Sequence, residues 1–536
     1  MRLNILKSTS KLLLAAGMSW LPAMAVNPYL PLWEHIPDGE PYVFSDPDNP
    51  GKKRVYIYGS HDMLKTAYCG TDLVVWSAPV DSLDRWRHDG KILEVTKDRD
   101  GRLLHENGRG DVLYAPDVAE RTLPDGRKEY FLYPNNQEGG RNGMVARSDR
   151  PDGPFEVINW STDNPRETDG VLRFDPAVFI DDDGRVYGYW GFGNAMAAEL
   201  DPKTMATVKP GTEIVSDIVS GFKQEGPFRF YEASSMRKID GKYVFIFSRW
   251  TPDGEFGLPG TNYTLAYAYS DNPLGPFTYG GTIIDARGRD TDAEGKPIAT
   301  ATPHGNTHGS IAEINGKWWV FFHRQTGTDE FSRQAMVAPI EVSVDPEPGG
   351  KVVISEAEYT SEGFDTDGLD PLKKYPAAIA SHYTGPTPAF QTYPNMNYSG
   401  SYVKPTYIDD HATARPYDES VNINPVVNNT DGSILGYKYF NLDATTGAAP
   451  LKLALDLIPE GIDGTIKIYT SAPWKGNPKP VGEIAISGSA PREATKMIAD
   501  VSAAGKLKGK HPLYLTFSSP EKGKSVCTVL SLQFEK

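Results

Sequence analysis

The feature that most constrains this chain is a phrase written five times: a turn containing glycine, then a strand-like run of aromatic and β-branched residues. The copies are Gly51 to Gly59 (GKKRVYIYG), Asp125 to Tyr133 (DGRKEYFLY), Asp183 to Gly191 (DGRVYGYWG), Asp240 to Ser248 (DGKYVFIFS) and Asn315 to His323 (NGKWWVFFH). Their spacing of about 55 to 75 residues belongs to blades or solenoid units. A second phrase trails two of them, Ala146 to Phe155 (ARSDRPDGPF) and Ala268 to Phe277 (AYSDNPLGPF). Trp76-Ser77-Ala78-Pro79 takes the same place after the first copy. Each unit therefore carries a hairpin plus outer strands. Radial repetition lets such sheets bury both faces around a central funnel, which predicts an all-β fold led by a five-bladed β-propeller over 27–345. A β-sandwich with chance repeats is the competing reading.

At 536 residues the chain exceeds what one core organises, so a second domain is expected. The repeat stops after Val344, and 346–380, rich in Asp, Glu, Gly and Pro, reads as a connector. Alternating apolar runs then follow, as in Leu451 to Leu457 (LKLALDL), Gly464 to Tyr469 (GTIKIY) and Leu513 to Phe517 (LYLTF). They predict a jelly-roll β-sandwich over 381–536.

Arg2 and Lys7 to Lys11 precede the apolar stretch Leu12 to Leu21 and the small-residue site Ala23-Met24-Ala25. Residues 1–25 therefore read as a cleaved signal peptide, and the protein is expected in the periplasm or the medium, with no cysteine placed to take a lipid. Cys69 and Cys527 are too few and too distant for a disulfide framework. A net charge of −15 disfavours nucleic acid and anionic membrane as partners and fits a neutral ligand.

In a funnel of this kind, a carboxylate shortly before the repeated phrase can face the axis. The candidates are Asp38 and Glu40 in PDGEPYVF, Asp117 in YAPDV, Asp175 in FDPAVFIDDDG, and Glu225 and Glu232 in QEGPFRFYEASSMRKIDG. The fifth unit offers His308 in GNTHGSIAEINGKWW instead. Asp181 to Asp183 read as turn formers, and Asp117 reads equally as a turn cap or a pocket carboxylate. Trp76, Trp190 and Trp250 read more readily as core packing than as sugar platforms.

These phrases, in this order over about 27–345, resemble glycoside hydrolase family 43. The NPYLPLWEHIPDGEP opening is similar to its branch of bifunctional β-xylosidases/α-L-arabinofuranosidases. The resemblance implies a general base in the first unit, a pKa-modulating Asp175 and a general acid Glu232. Glu225, in a Gly-Pro context, is the alternative acid. The usual Asp-Pro of the base is replaced by Asp38-Gly39-Glu40-Pro41, so Asp38 and Glu40 both stand for that role. The resemblance further implies that His308 sits beside a hydrated cation, usually calcium, although calcium prefers oxygen ligands. It also implies that Arg333 in SRQAMVAPI bonds sugar hydroxyls. Arg324 in FFHRQ is either its neighbour in that task or part of a surface ion pair. GSILGYKYFNLDATTG and the final strands resemble a family 6-like carbohydrate-binding module.

The function so implied is inverting, exo-acting removal of terminal α-L-arabinofuranosyl and/or β-D-xylosyl residues from plant polysaccharides, with no organic cofactor. A β-D-galactofuranosidase of the same fold and a non-catalytic glycan-binding protein are the alternatives.

Overall fold

The structure is a computed structural model that describes residues 25–63, 67–301, 305–326, 329–387, 390–392, 395–397, 399–405, 424–448 and 450–536. The signal-peptide reading of 1–25 falls, except for Ala25, outside the described residues. The fold is all-β, and the helical segments among the described residues are four 3-10 turns of three or four residues. None of these helices is long and apolar enough to cross a membrane.

Five antiparallel sheets follow one another along the chain, beginning with the strands Glu40–Ser45, Leu113–Thr122, Ala177–Ile180, Phe230–Ile239 and Ser310–Ile314. Every copy of the repeated phrase forms the second strand of its sheet: Lys53–Tyr58, Lys128–Asn136, Val186–Trp190, Lys242–Thr251 and Lys317–Arg324. These strands are near-continuous apolar runs because they are covered on both faces. The turns ahead of them are written in the sequence. In the fourth and fifth sheets, Asp240-Gly241 and Asn315-Gly316 adopt positive φ at both positions and close two-residue hairpins, Ile239 facing Lys242 and Ile314 facing Lys317.

Between successive sheets lie separate apolar layers. Tyr58 and Val75 meet Val118 and Leu132, then Phe131 and Tyr133 meet Val178 and Trp190. Tyr187 and Tyr189 meet Phe245 and Phe247, and Ile246 and Leu265 meet Val320 and Phe322. The fifth layer returns to the first sheet, where Trp319 and Phe321 meet Val55, Ile57 and Trp76. The N-terminal segment seals the last sheet: Tyr29 N–H donates to Ala335 O at 3.4 Å, and the Asn27 side chain bonds both N–H and C=O of Val337. Trp76 and Trp190 are packing residues, as expected from the sequence, whereas Trp250 lies outside all of these layers.

Two further antiparallel sheets follow. One is built on Lys452–Pro459 and Cys527–Glu535, the other on Ile434–Asn441, Gly464–Tyr469 and Lys510–Ser518. Their inward residues, among them Leu453, Leu455 and Phe534 from one and Tyr437, Ile466 and Leu515 from the other, share one apolar cluster. The stretch 346–380 is more than a connector. Val352–Ile354 pairs with Val342–Val344, Tyr375–Pro376 pairs with Cys527–Glu535, and Ala377–Ala380 are buried in the C-terminal cluster. Both cysteines are buried and free.

Candidate active site

The chain direction decides where the site lies. Each first strand runs away from one mouth of the ring and each second strand runs back to it, so residues before a first strand and after a second strand gather at that mouth. Asp38 stands just ahead of Glu40–Ser45, Asp175 ahead of Ala177–Ile180, Glu232 near the start of Phe230–Ile239 and His308 ahead of Ser310–Ile314. Asp38 and Asp175 both occupy left-handed backbone (φ 61 and 42), and Ala233 beside Glu232 does too (φ 67). Register shifts on either side of Glu232 break its ladder. Three departures from regular strand geometry thus re-aim three carboxylates, a cost that surrounding structure sustains at functional sites.

Asp38 is buried and well partnered. Arg333 Nη1 donates to Oδ1 at 3.0 Å and Ser60 Oγ donates to Oδ2 at 2.6 Å. Burial pushes its carboxyl up, but the charge of Arg333, with His323, His308 and the Ser60 hydrogen bond, holds it below the usual carboxylate range. Arg333 is itself fixed by Asp62, which accepts from Nε at 2.9 Å and Nη2 at 2.8 Å. Asp38 N–H donates to His323 Nδ1 at 3.2 Å while His323 Nε2 faces the Asn306 carbonyl at 2.8 Å. That pattern requires the neutral Nε2–H tautomer, and burial accordingly pushes His323 down to about 3.

Glu232 behaves in the opposite way. Its carboxyl is pushed well up, first by burial and then by the charges of Asp175 and Asp38, against the charge of Arg333 and one long hydrogen bond of 3.5 Å from Asn262 Nδ2. Asp175 accepts from Asn135 Nδ2 at 2.8 Å and Ala233 N–H at 3.1 Å, with His308 Nδ1 at 3.8 Å. It too is raised, by burial and by Asp38, against the pull of His308. One mouth therefore holds a carboxylate kept ionised and a carboxylic acid kept protonated.

The other sequence candidates separate cleanly. Glu225 is exposed on the loop before the fourth sheet. Glu40, two residues further along the strand than Asp38, is bonded by Arg237 Nη2 at 2.7 Å and Ser235 Oγ at 3.2 Å. Asp117 accepts from Tyr42 Oη at 2.6 Å, Val178 N–H at 2.6 Å and Val118 N–H at 2.8 Å. Burial and the Glu40 charge push it up to about 7 against Arg237. Glu40, Asp117, Tyr42 and Arg237 thus form a second, deeper polar layer. Arg324 belongs to neither layer and makes no surface ion pair. Buried, it donates to the carbonyls of Ala378 at 2.6 Å and Ala380 at 3.0 Å and ties the fifth sheet to the C-terminal unit. Asp181, by contrast, accepts from Lys238, Tyr243 and its own turn.

Ser60, Asp62, Asn135, Asn262 and His323 were not singled out from the sequence. A signal for three of them was present: Ser60, Asn135 and His323 end or directly follow the apolar repeated phrase, where the chain reaches the mouth. Ahead of the first strand and after the second strand of the second sheet, His105, Asp111 and Glu138 bring ligand atoms within 4.8 Å of one another. Arg141 grips Asp111 and Arg109 grips Glu138, so guanidinium groups already take the cation's place.

The profile of glycosyl hydrolases family 43 matches residues 46–348. A "Xylosidase/arabinosidase" of Thermoclostridium stercorarium is 33% identical over 94% of this chain and 98% of its own length. A "Xylosidase/arabinosidase 43A" of Humicola insolens is 32% identical over 50% of this chain and 84% of its own. An "Arabinoxylan arabinofuranohydrolase" of Paenibacillus polymyxa is 29% identical over 54% of this chain and 44% of its own. The chain belongs to glycosyl hydrolase family 43 and is a glycoside hydrolase.

Proposed function

We propose that this enzyme releases terminal α-L-arabinofuranosyl and/or β-D-xylosyl residues from plant cell-wall polysaccharides or their oligosaccharides, by single displacement with inversion. The observation that carries the mechanism is the opposed protonation of Asp38 and Glu232 at one mouth. The substrate class follows the xylosidase/arabinosidase relatives, one of which aligns over nearly the whole chain. The five sheets are read as blades of a β-propeller, with the funnel supplying an exo-acting pocket, and the C-terminal pair of sheets as a β-sandwich of carbohydrate-binding-module type. Export by residues 1–25 is proposed from their sequence alone.

In this mechanism Asp38, ionised, accepts a proton from the water that attacks the anomeric carbon. Glu232 gives its proton to the glycosidic oxygen as that bond breaks, and Asp175 keeps Glu232 protonated until then through like charge. The cycle resets when Asp38 releases its proton to solvent and Glu232 regains one. Arg333, its nitrogens taken up by Asp38 and Asp62, keeps Asp38 ionised, and His308 steadies Asp175. A calcium beside His308 would want about six to eight oxygens. The neighbouring Asp175 oxygens already accept from Asn135 and Ala233. These side chains do not fit a directly coordinated calcium, and no step needs one.

The test is hydrolysis of nitrophenyl α-L-arabinofuranoside and β-D-xyloside, with the anomer of the first-formed sugar read by NMR. Release with inversion supports the reading. Retention of configuration, or release of galactofuranose alone, overturns the mechanism or the substrate class respectively.

A further inference from the structure

Asp38 stands on a segment that threads between the ring of sheets and the C-terminal unit. Val26, at the start of that segment, is buried in the C-terminal apolar cluster, and Leu32 packs against the same cluster. The Leu32 carbonyl accepts from Gln334 Nε2 of the fifth sheet at 2.7 Å and from Asn424 Nδ2 of the C-terminal unit at 2.6 Å. The segment then delivers Asp38 to the mouth.

The partners of Asp38 are held from the same side. His323, which accepts from the Asp38 N–H, is followed by Arg324, and Arg333, which donates to the Asp38 carboxylate, is followed by Gln334. Arg324 and Gln334 face each other in the ladder. Arg324 Nε and Nη2 donate to Gln334 Oε1 at 3.1 and 2.8 Å. Its Nη1 donates to Ala380 O at 3.0 Å and Tyr383 Oη at 3.3 Å, and Nη2 to Ala378 O at 2.6 Å. These bonds use the whole guanidinium fork, and each of these acceptors is neutral. An apolar side chain would fill this buried place at a smaller desolvation cost, whereas a planar fork adds fixed direction.

We propose that the C-terminal unit is the outer support of the active site, fixing the base through Arg324 and through Asn424 on Leu32, and that Arg324 is a positioning residue for the reaction. The carbonyls of Ala378 and Ala380 hold Arg324 and, through it, Gln334. These two fix the strand ends that carry His323 and Arg333, and those in turn hold the main chain and the carboxylate of Asp38. A general base displaced by a fraction of an ångström from the attacking water loses turnover while substrate binding is kept. The proposal rests on Asp38 as the base and deepens that reading.

The test follows the full-length enzyme and its Arg324→Met, Asn424→Ala and Asp38→Asn variants on whichever nitrophenyl glycoside the wild type cleaves, across pH. The charged and titratable groups facing Asp38 are Arg333, His323 and His308 on the fifth-sheet side and Asp175 and Glu232 from the third and fourth sheets. Loosening Arg333 and His323 alone should therefore move the acid limb up towards the usual carboxylate value and leave the alkaline limb in place. Arg324→Met is expected to lose roughly tenfold in kcat with KM within about twofold. Asn424→Ala should shift the same limb with a smaller loss, and it decides the matter if Arg324→Met does not fold. A lower denaturation midpoint with kcat per folded enzyme and the acid limb both unchanged would make these contacts merely structural and overturn the proposal. If Asp38→Asn keeps its rate, the base assignment falls and this proposal with it. If Asp38→Asn is inactive while the other two match the wild type, this proposal alone falls.

Discussion

Asp38 and Glu40 stand two residues apart, both buried and both bonded to an arginine, yet they belong to different electrostatic neighbourhoods. Asp38 shares its guanidinium with Asp62 and raises the carboxyls of Glu232 and Asp175. Glu40 acts on Tyr42, Asp117 and Arg237, about 7 Å deeper along the strand. The upper layer leaves the acids of three sheets crowded around the mouth. The lower layer closes the axis with charge-assisted and neutral hydrogen bonds. Each carboxylate is therefore defined by what its counter-charge leaves it free to do, and in the proposed mechanism the base is Asp38.

The largest effect that would break this comparison is on turnover. Asp38→Asn is expected to lower kcat by about 10³-fold with the fold intact, the scale of a general base. A loss of that size in Glu40→Gln, with Asp38→Asn active, would move the base to the lower layer. For Glu40→Gln we expect instead a stability loss of roughly 2–4 kcal/mol, because Arg237 loses its 2.7 Å partner in a buried pair. Chemical denaturation measures it, and kcat of the folded fraction should change little.

The pH profile sharpens the contrast. Activity needs Asp38 ionised and Glu232 protonated, so the acid limb should lie below the usual carboxylate range and the alkaline limb well above it. Asp175→Asn removes a negative neighbour, favours the ionised form of Glu232 and should move the alkaline limb to lower pH. An unmoved limb would remove Asp175 from that role. Stability carries the same signature more weakly. A carboxyl raised by folding costs stability as pH rises from its unfolded value through its folded one, so Glu232→Gln should gain stability at neutral pH and nothing in acid, as read by chemical denaturation at the two pH values. The smallest effect expected is that of chelation: EDTA should leave kcat within about twofold, since no step of the proposed mechanism runs through a cation.

Much of the fold was legible because it depends on local chemistry. Asp240-Gly241 and Asn315-Gly316 dictate two-residue turns, and the apolar phrases after them are second strands wherever they occur. Asp175, Glu232 and His308 were found from their place ahead of those phrases. Glu225 stood beside Glu232 as the alternative acid, and only the structure puts it exposed on the loop before the fourth sheet. The purpose of Arg324 was not legible, because its partners are carbonyls more than fifty residues away. The extent of the C-terminal unit was partly hidden too, since the buried Ala377–Ala380 lie in a stretch whose composition reads as a connector.

By itself the sequence determined an all-β chain of five repeated sheets with an acid at one end of four hairpins and His308 at the fifth, since turn geometry and strand burial are set within a few residues. Only the tertiary structure decided which acid is ionised and which keeps its proton. Those states arise from charges on different sheets, Arg333 on Asp38 where the fifth sheet meets the first, and Asp175 on Glu232 where the third meets the fourth. The pair energies depend on distance and burial, and neither is encoded at any single position.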